Sequence, residues 1–255
     1  MRLKTFFAAV VLLLASVSAW GQAKVYTKRM VIADFPTKTT KVVLAGESFL
    51  EMAVRDEVAA RWRISPYEFC SVEDYERLKT DSGFYFLRLV SKEGIAFLEL
   101  TKGGKPDAED RLKRPADVVS IPISASEAMS GDEIVYLGAY LDIVQNYTEE
   151  AIISDRVGYS GLGIFNARSL KGRRLFLDPE AARDKYQVCE ENAVVGISVV
   201  PLTIGLKSRC YRMLIAADTH ELLYYSEHRY KGPNDAEFSD KEVKTFGNRD
   251  ADIVR

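Results

Sequence analysis

The sequence predicts an α+β fold, a mainly antiparallel sheet with helices packed on one face, in two similar-sized subdomains. Three observations point there. Residues 40–101 run strand, helix, strand, short helix, hairpin. Two pairs of β-rich segments face each other across short polar turns. Two other segments repeat their apolar residues at helical spacing.

The chain opens with Arg2 and Lys4, an almost wholly apolar run from Phe6 to Val17, then Ser18 and Ala19. Charge, short apolar run and small residues, in that order, mark residues 1–19 as a secretory signal peptide cut after Ala19, with Ala23 as a second site. The run is shorter than the about 20 residues a membrane span needs. No later stretch is longer, so the sequence predicts no transmembrane helix after signal removal. No cysteine follows closely enough for lipid attachment.

Met30 to Asp34 and Lys41 to Ala45 read as strands, broken by Phe35-Pro36-Thr37. Ser48 and Glu51 form a capping box. Leu50, Val54, Val58 and Trp62 then recur every four residues, one buried helix face. Tyr67 to Cys70 reads as a buried strand, and Ser71 with Asp74 opens a short helix. Phe84 to Val90 and Ile95 to Thr101 make a hairpin around Ser91–Gly94. A charged loop follows to about Pro115. Val118 to Ile123 is extended. Ile134, Leu137, Leu141 and Val144 mark a helix over 132–148. Gly158 to Gly163 reads as a turn or loop. Arg173 to Leu177 is a strand, and Asp178-Pro179 starts a helix, since aspartate caps and proline suits the first turn. Ala193 to Val200 is an apolar strand. Tyr211 to Ala217 and Leu222 to Arg229 flank a second hairpin turn. The domain reading is therefore 1–19 signal peptide, 24–115 and 116–230 subdomains, and 231–255 a polar tail with one helical turn after Ser239. Whether the two halves share one core is left open.

Hydrophobic content of 47% and charged content of 28% are ordinary for a globular protein. Loss of Arg2 and Lys4 takes the basic count from 35 to 33 against 37 acidic residues, a formal charge of −4. That balance argues against nucleic acid and against strong attraction to anionic lipid.

Of three cysteines, Cys189 and Cys210 are the disulfide candidates, because the segment between them could fold back. Cys70 reads as a buried free thiol. The spacings suit no zinc site, and no metal or cofactor is expected. Gly158-Tyr-Ser-Gly161-Leu-Gly163 misses both phosphate-loop patterns. Ser160 lacks the glycine two residues on that a nucleophile elbow needs, and the only histidines are His220 and His228. Asp218, His220 and His228 match no metal motif. Arg168, Lys171, Arg173 and Arg174 form a basic loop suited to a phosphate, sulfate or acidic sugar. Tyr224 and Tyr225, with Tyr211 and Tyr230, could stack on a sugar or a partner. Asn146-Tyr-Thr148 matches a glycosylation acceptor but falls in the helical stripe.

The leader, residues 34–44, the stretch Trp62–Cys70 and Lys102-Gly-Gly104 resemble uncharacterised exported envelope proteins of Bacteroidota. The resemblance implies a Gram-negative periplasm or outer envelope and no particular activity. The sequence thus reads as an exported, non-catalytic binding or scaffold protein of the periplasm or cell surface. Its partner would be another envelope protein or a saccharide. The alternatives are a periplasmic hydrolase using carboxylates or Ser160, or a small-ligand binder using the C-terminal tyrosines.

Overall fold

The structure, a computed structural model, describes residues 26–46, 48–126 and 132–254. The signal-peptide segment lies outside them. Helix starts marked in the sequence are where helices begin. Ser48 Oγ accepts from the Glu51 NH at 3.3 Å, opening α2 (Phe49–Arg61). Ser71 opens α3 (Val72–Leu78) in the same way, and Asp178 opens α6 (Pro179–Gln187). Leu50, Val54, Val58 and Trp62 are buried on one side.

The chain runs α1 (Lys28–Ile32), β1 (Thr39–Val43), α2, β2 (Tyr67–Cys70), α3, β3 (Phe84–Lys92), β4 (Ile95–Lys102), β5 (Ala116–Ala125) and α4 (Leu137–Ile153). It continues through α5 (Asp155–Ser160), β6 (Arg174–Phe176), α6, β7 (Ala193–Val199), β8 (Arg209–Ala216), β9 (Leu222–Arg229), α7 (Asp240–Gly247) and β10 (Asp252–Val254). The β3–β4 turn carries Glu93 and Gly94 at φ 50° and 79°, the two left-handed residues a tight hairpin needs.

The fold is α+β, with two five-stranded sheets ordered β2-β1-β3-β4-β5 and β10-β6-β7-β8-β9. The sheets are mixed, not mainly antiparallel. Helix α2 carries the chain back from β1, and β1 pairs parallel with both β2 and β3. Helix α6 does the same after β6, which pairs parallel with β7 and β10. A helical crossover returns the chain in the same direction, which the hairpin signals alone did not convey. Each sheet then finishes as an antiparallel meander.

Helices also lie on both faces. Tyr75 of α3 packs edge-on against Phe86 at 5.1 Å, outside the first sheet. Phe246 of α7 joins Leu175, Val194 and Leu214 outside the second. Between the sheets runs one continuous core with residues from both halves, built around α4. Phe97 of β4 meets Tyr211 of β8 there at 5.4 Å.

Other expectations are corrected. Residues 30–34 are not a strand: Thr27 Oγ1 accepts from the Met30 NH and starts α1. β2 is a half-exposed edge strand, since only β1 flanks it. β5 belongs to the first sheet, beyond residue 115. The polar tail carries more than one helical turn. Ser239 and Glu242 form a full capping box for α7, and β10 adds an edge to the second sheet. Residues 158–163 lie in α5 and a 3-10 helix, Gly161–Ala167. Cys189 and Cys210 are free rather than bonded, and the free thiol of Cys70 is half-buried rather than buried. Cys189 is exposed after α6, whereas Cys210 is buried in β8, so the foldback does not join them.

Candidate functional site

In the second sheet, β6 ends opposite Val195 of β7, but β7 continues to Val199. Among the described residues no strand pairs with β7 on that flank beyond Val195. The open flank of Gly196, Ile197 and Ser198 lines a cleft of about 930 Å³. The cleft lies off the carboxyl ends of β6 and β10, where open sheets containing parallel strands commonly hold ligands.

Local sequence explains its shape. Asp178-Pro179 and Ser239-Asp240 start α6 and α7 at the cleft, so both helices wall it with their first turns. Gly196 lets the floor close in: a Cβ there would lie 2.8 Å from the Phe238 ring and 2.9 Å from Leu177 Cδ2. Leu177, Phe238, Val243 and Val254 give apolar walls. Asp178, Glu180, Glu237 and Asp240 supply carboxylates against one cation, Arg183. Asp178 spends one oxygen capping α6, accepting from the Ala181 NH at 3.0 Å.

Tyr136 forms another wall, and behind it lies a polar cluster. Its ring packs on Tyr186 of α6 at 4.7 Å. The Tyr186 hydroxyl is 3.2 Å from His220 Nε2, and His220 Nδ1 donates to Asp142 Oδ2 at 2.7 Å. Arg61 Nη1 donates to the same oxygen at 3.3 Å, and Arg63 lies 3.7 Å from the other. A carboxylate can only accept, so Nδ1 carries a proton and presents it to Asp142, while Nε2 faces the Tyr186 hydroxyl. Burial raises the Asp142 pKa, but the His220 hydrogen bond and the charges of His220, Arg61 and Arg63 outweigh it, leaving the carboxyl below its usual range. Burial pushes the Tyr186 phenol well above its usual value. Carboxylate, imidazole and hydroxyl in a row can relay a proton, but a phenol held this firmly protonated is a poor nucleophile. His220 adopts φ 57°, unusual for a non-glycine residue, and its side chain spans Asp142 and Tyr186. The cluster ties α2 and α4 to the β8–β9 turn and α6, and so ties one half to the other.

The sequence-marked residues are placed differently. Arg168 donates to Glu150 at 2.8 Å and lies 3.6 Å from Glu221. Arg173 pairs with Asp218 and Glu221, and Arg174 with Glu190 at 2.8 Å. Lys171 is exposed. The arginines are thus matched by carboxylates rather than left as an anion cradle. Tyr224 and Tyr225 face opposite sides of β9. Tyr224 donates to Glu242 at 2.8 Å and packs on Phe246, while Tyr225 lies against the shared core, 6.5 Å from Tyr211. They form no common stacking surface. Ser160 ends α5 and hydrogen-bonds neither imidazole. His228 accepts from Arg212 at 2.8 Å, beside the Arg212–Glu242 ion pair. Tyr147 and Thr148 are buried in α4, which hides the glycosylation-like triplet. Among the described residues no His, Cys, Asp and Glu group could hold a metal ion.

Sequence reasoning missed the cleft residues and the Asp142–Tyr186 link. One signal was present: Asp142 stands between Leu141 and Ile143, in the apolar stripe of α4. A carboxylate there needs partners. Comparison with protein-family models, curated proteins and solved structures gives no match.

Proposed function

We propose that this chain is an exported binding or scaffold component of a cell envelope, and that its cleft takes an extended segment of another envelope protein. The open β7 flank carries the reading. Unpaired strand backbone recruits an added strand through main-chain hydrogen bonds, with side-chain pockets adding specificity. The carboxylate rim favours lysine or arginine in that segment, and the apolar walls favour aliphatic residues between them. Binding fits this site better than hydrolysis, because the imidazoles are engaged elsewhere, with Asp142 and Tyr186 or with Arg212. The address in the periplasm or at the cell surface rests on the leader.

The test is fluorescence anisotropy with a short labelled peptide alternating valine and lysine, against its glutamate counterpart. The lysine peptide should bind, and the glutamate peptide should not. Ser198→Trp, which fills the flank, and Glu237→Lys with Asp240→Lys, which reverses the rim, should each weaken binding about tenfold or more. Equal binding of both peptides, or no effect of Ser198→Trp, would refute the reading. Ester hydrolysis lost in Ser160→Ala but kept in Ser169→Ala would instead favour a hydrolase.

A further inference from the structure

The loop between β7 and β8 breaks the usual burial pattern. Leu202, Ile204 and Leu206 alternate along it and are 60%, 54% and 89% exposed. Residues 202–207 are exposed without interruption. The loop is nevertheless well built. Buried Ser208 accepts from the Gly205 NH at 2.8 Å and donates to the Thr203 carbonyl at 3.4 Å. The Ser208 NH donates to the Gly205 carbonyl at 3.2 Å. At its root, Pro201 sits on the β3–β4 turn, where a Cβ on Gly94 would lie 3.0 Å from Pro201 Cβ.

Cations surround the tip. Lys207, Arg209 and Arg229 line a shallow recess with Leu206 and Glu93. Lys231 follows Tyr230, whose NH donates to the Ser208 carbonyl at 2.9 Å. Glu227 pairs with Arg209 at 3.5 Å. Four cations therefore stand against Glu93, Glu227 and Asp235, which accepts from the Lys231 NH at 2.7 Å, although the whole chain is slightly acidic. The overall charge does not describe this end of the molecule.

We propose that the tip of loop 202–207 is an interfacial anchor that seats on an anionic bilayer. Three features fit that occupant together. The aliphatic groups form a protrusion, which enters a bilayer without needing a complementary pocket. The flanking lysines and arginines stand at headgroup level, where each gains from anionic lipid. The Ser208 bonds satisfy loop backbone groups internally, which lowers the cost of moving them out of water. Among the described residues no helix is long and apolar enough to cross a membrane, so this contact would be a surface attachment. The inference is independent of the cleft, which is lined by a separate set of residues.

The test is co-sedimentation of the full chain with vesicles of phosphatidylglycerol and phosphatidylethanolamine, and with vesicles of phosphatidylcholine alone. Residues 1–19 are common to every arm, so comparison among variants isolates the loop. The wild-type chain should favour the anionic vesicles. Leu202→Asp with Leu206→Asp should lower partitioning about tenfold or more. Lys207→Glu with Arg229→Glu should lower it severalfold and remove its salt dependence. Val188→Asp, at a site 68% exposed elsewhere, should change nothing. Melting curves for each variant establish that the fold is kept. Binding indifferent to the Leu202 and Leu206 changes, or a loss on making those changes that is as large with phosphatidylcholine as with the anionic vesicles, overturns the proposal. So does a chain that ignores vesicles but self-associates through this loop in sedimentation velocity.

Discussion

The two sheets share one spatial arrangement, an edge strand, a first strand and a three-stranded meander, but reach it along different chain paths. Each has a strand, a helical crossover to a parallel neighbour, and an antiparallel meander. Each also has an outer edge strand parallel to its first strand. In the first sheet that edge is β2, inserted between α2 and β3. In the second it is β10, supplied by the C-terminus. The helices that follow the meanders differ most. Helix α4 is buried along Leu137–Gln145 and again at Tyr147, Thr148 and Ala151, whereas α7 buries Phe246 alone. A helix with a wide apolar face, whose buried Asp142, Gln145 and Thr148 all have hydrogen-bond partners, can sit inside, while one with a single apolar anchor can lie on an outer face. The contrast teaches that side-chain pattern, rather than position in the repeat, decides which face of a sheet a helix occupies. It also explains the cleft, since the start of α7 walls it from outside.

Substitution of the two helices should separate them most clearly. Leu141 in α4 is fully buried, and Leu141→Ala should cost about 3–5 kcal/mol in urea unfolding. Val243→Ala, in the first turns of α7, should cost under about 1 kcal/mol. Similar costs would erase the distinction between an inner and an outer helix.

The junction between the halves should come next. Asp142→Asn leaves Arg61, Arg63 and His220 without their shared anion and should cost about 2–4 kcal/mol at neutral pH. The sign follows from the lowered pKa of Asp142. Its stabilisation is complete above the unfolded carboxylate pKa of about 4 and is lost as pH falls through the lower folded value. The variant should therefore lose less stability than wild type on acidification below about pH 4. Parallel pH–melting curves for the two proteins would remove the cluster from this role.

A third effect concerns β9, the edge strand that ends the meander of the second sheet. The Asn166 carboxamide donates to the Tyr225 carbonyl at 2.9 Å and accepts from the Tyr225 NH at 2.7 Å. It imitates a neighbouring strand and blunts β9, as edges generally require. Asn166→Ala should cost about 1–2 kcal/mol and increase aggregation on storage, read by light scattering. A variant as soluble and stable as wild type would show that the 3-10 helix alone covers the edge.

The smallest effect should appear at His220. Both His220→Gly and His220→Ala lose the bridge, but glycine relieves the left-handed backbone. His220→Gly should be the more stable by about 1 kcal/mol in chemical denaturation. The reverse order would mean that the turn is not strained.

Local signals in the sequence carried much of this fold. The serine caps of α2 and α3, the Asp178-Pro179 start and both hairpin turns lie within a few residues of what they specify. The parallel pairings do not. β10 joins β6 across 78 residues, Ile253 beside Leu175 and Val254 beside Phe176, and neither strand is long enough to announce itself. The repeated order was hidden because the edge strand enters from a different place in each half. The site was less legible still. Its cleft exists because β6 stops short of β7, a difference of strand length, and its polar cluster joins Asp142 to residues on three distant elements.

Tyr136 belongs both to the cleft wall and to the ring contact on Tyr186. Whatever fills the cleft therefore leans on the seam between the two sheets. A bound segment should be felt as a firmer joint, and the melting temperature of the unlabelled protein becomes a gauge of occupancy.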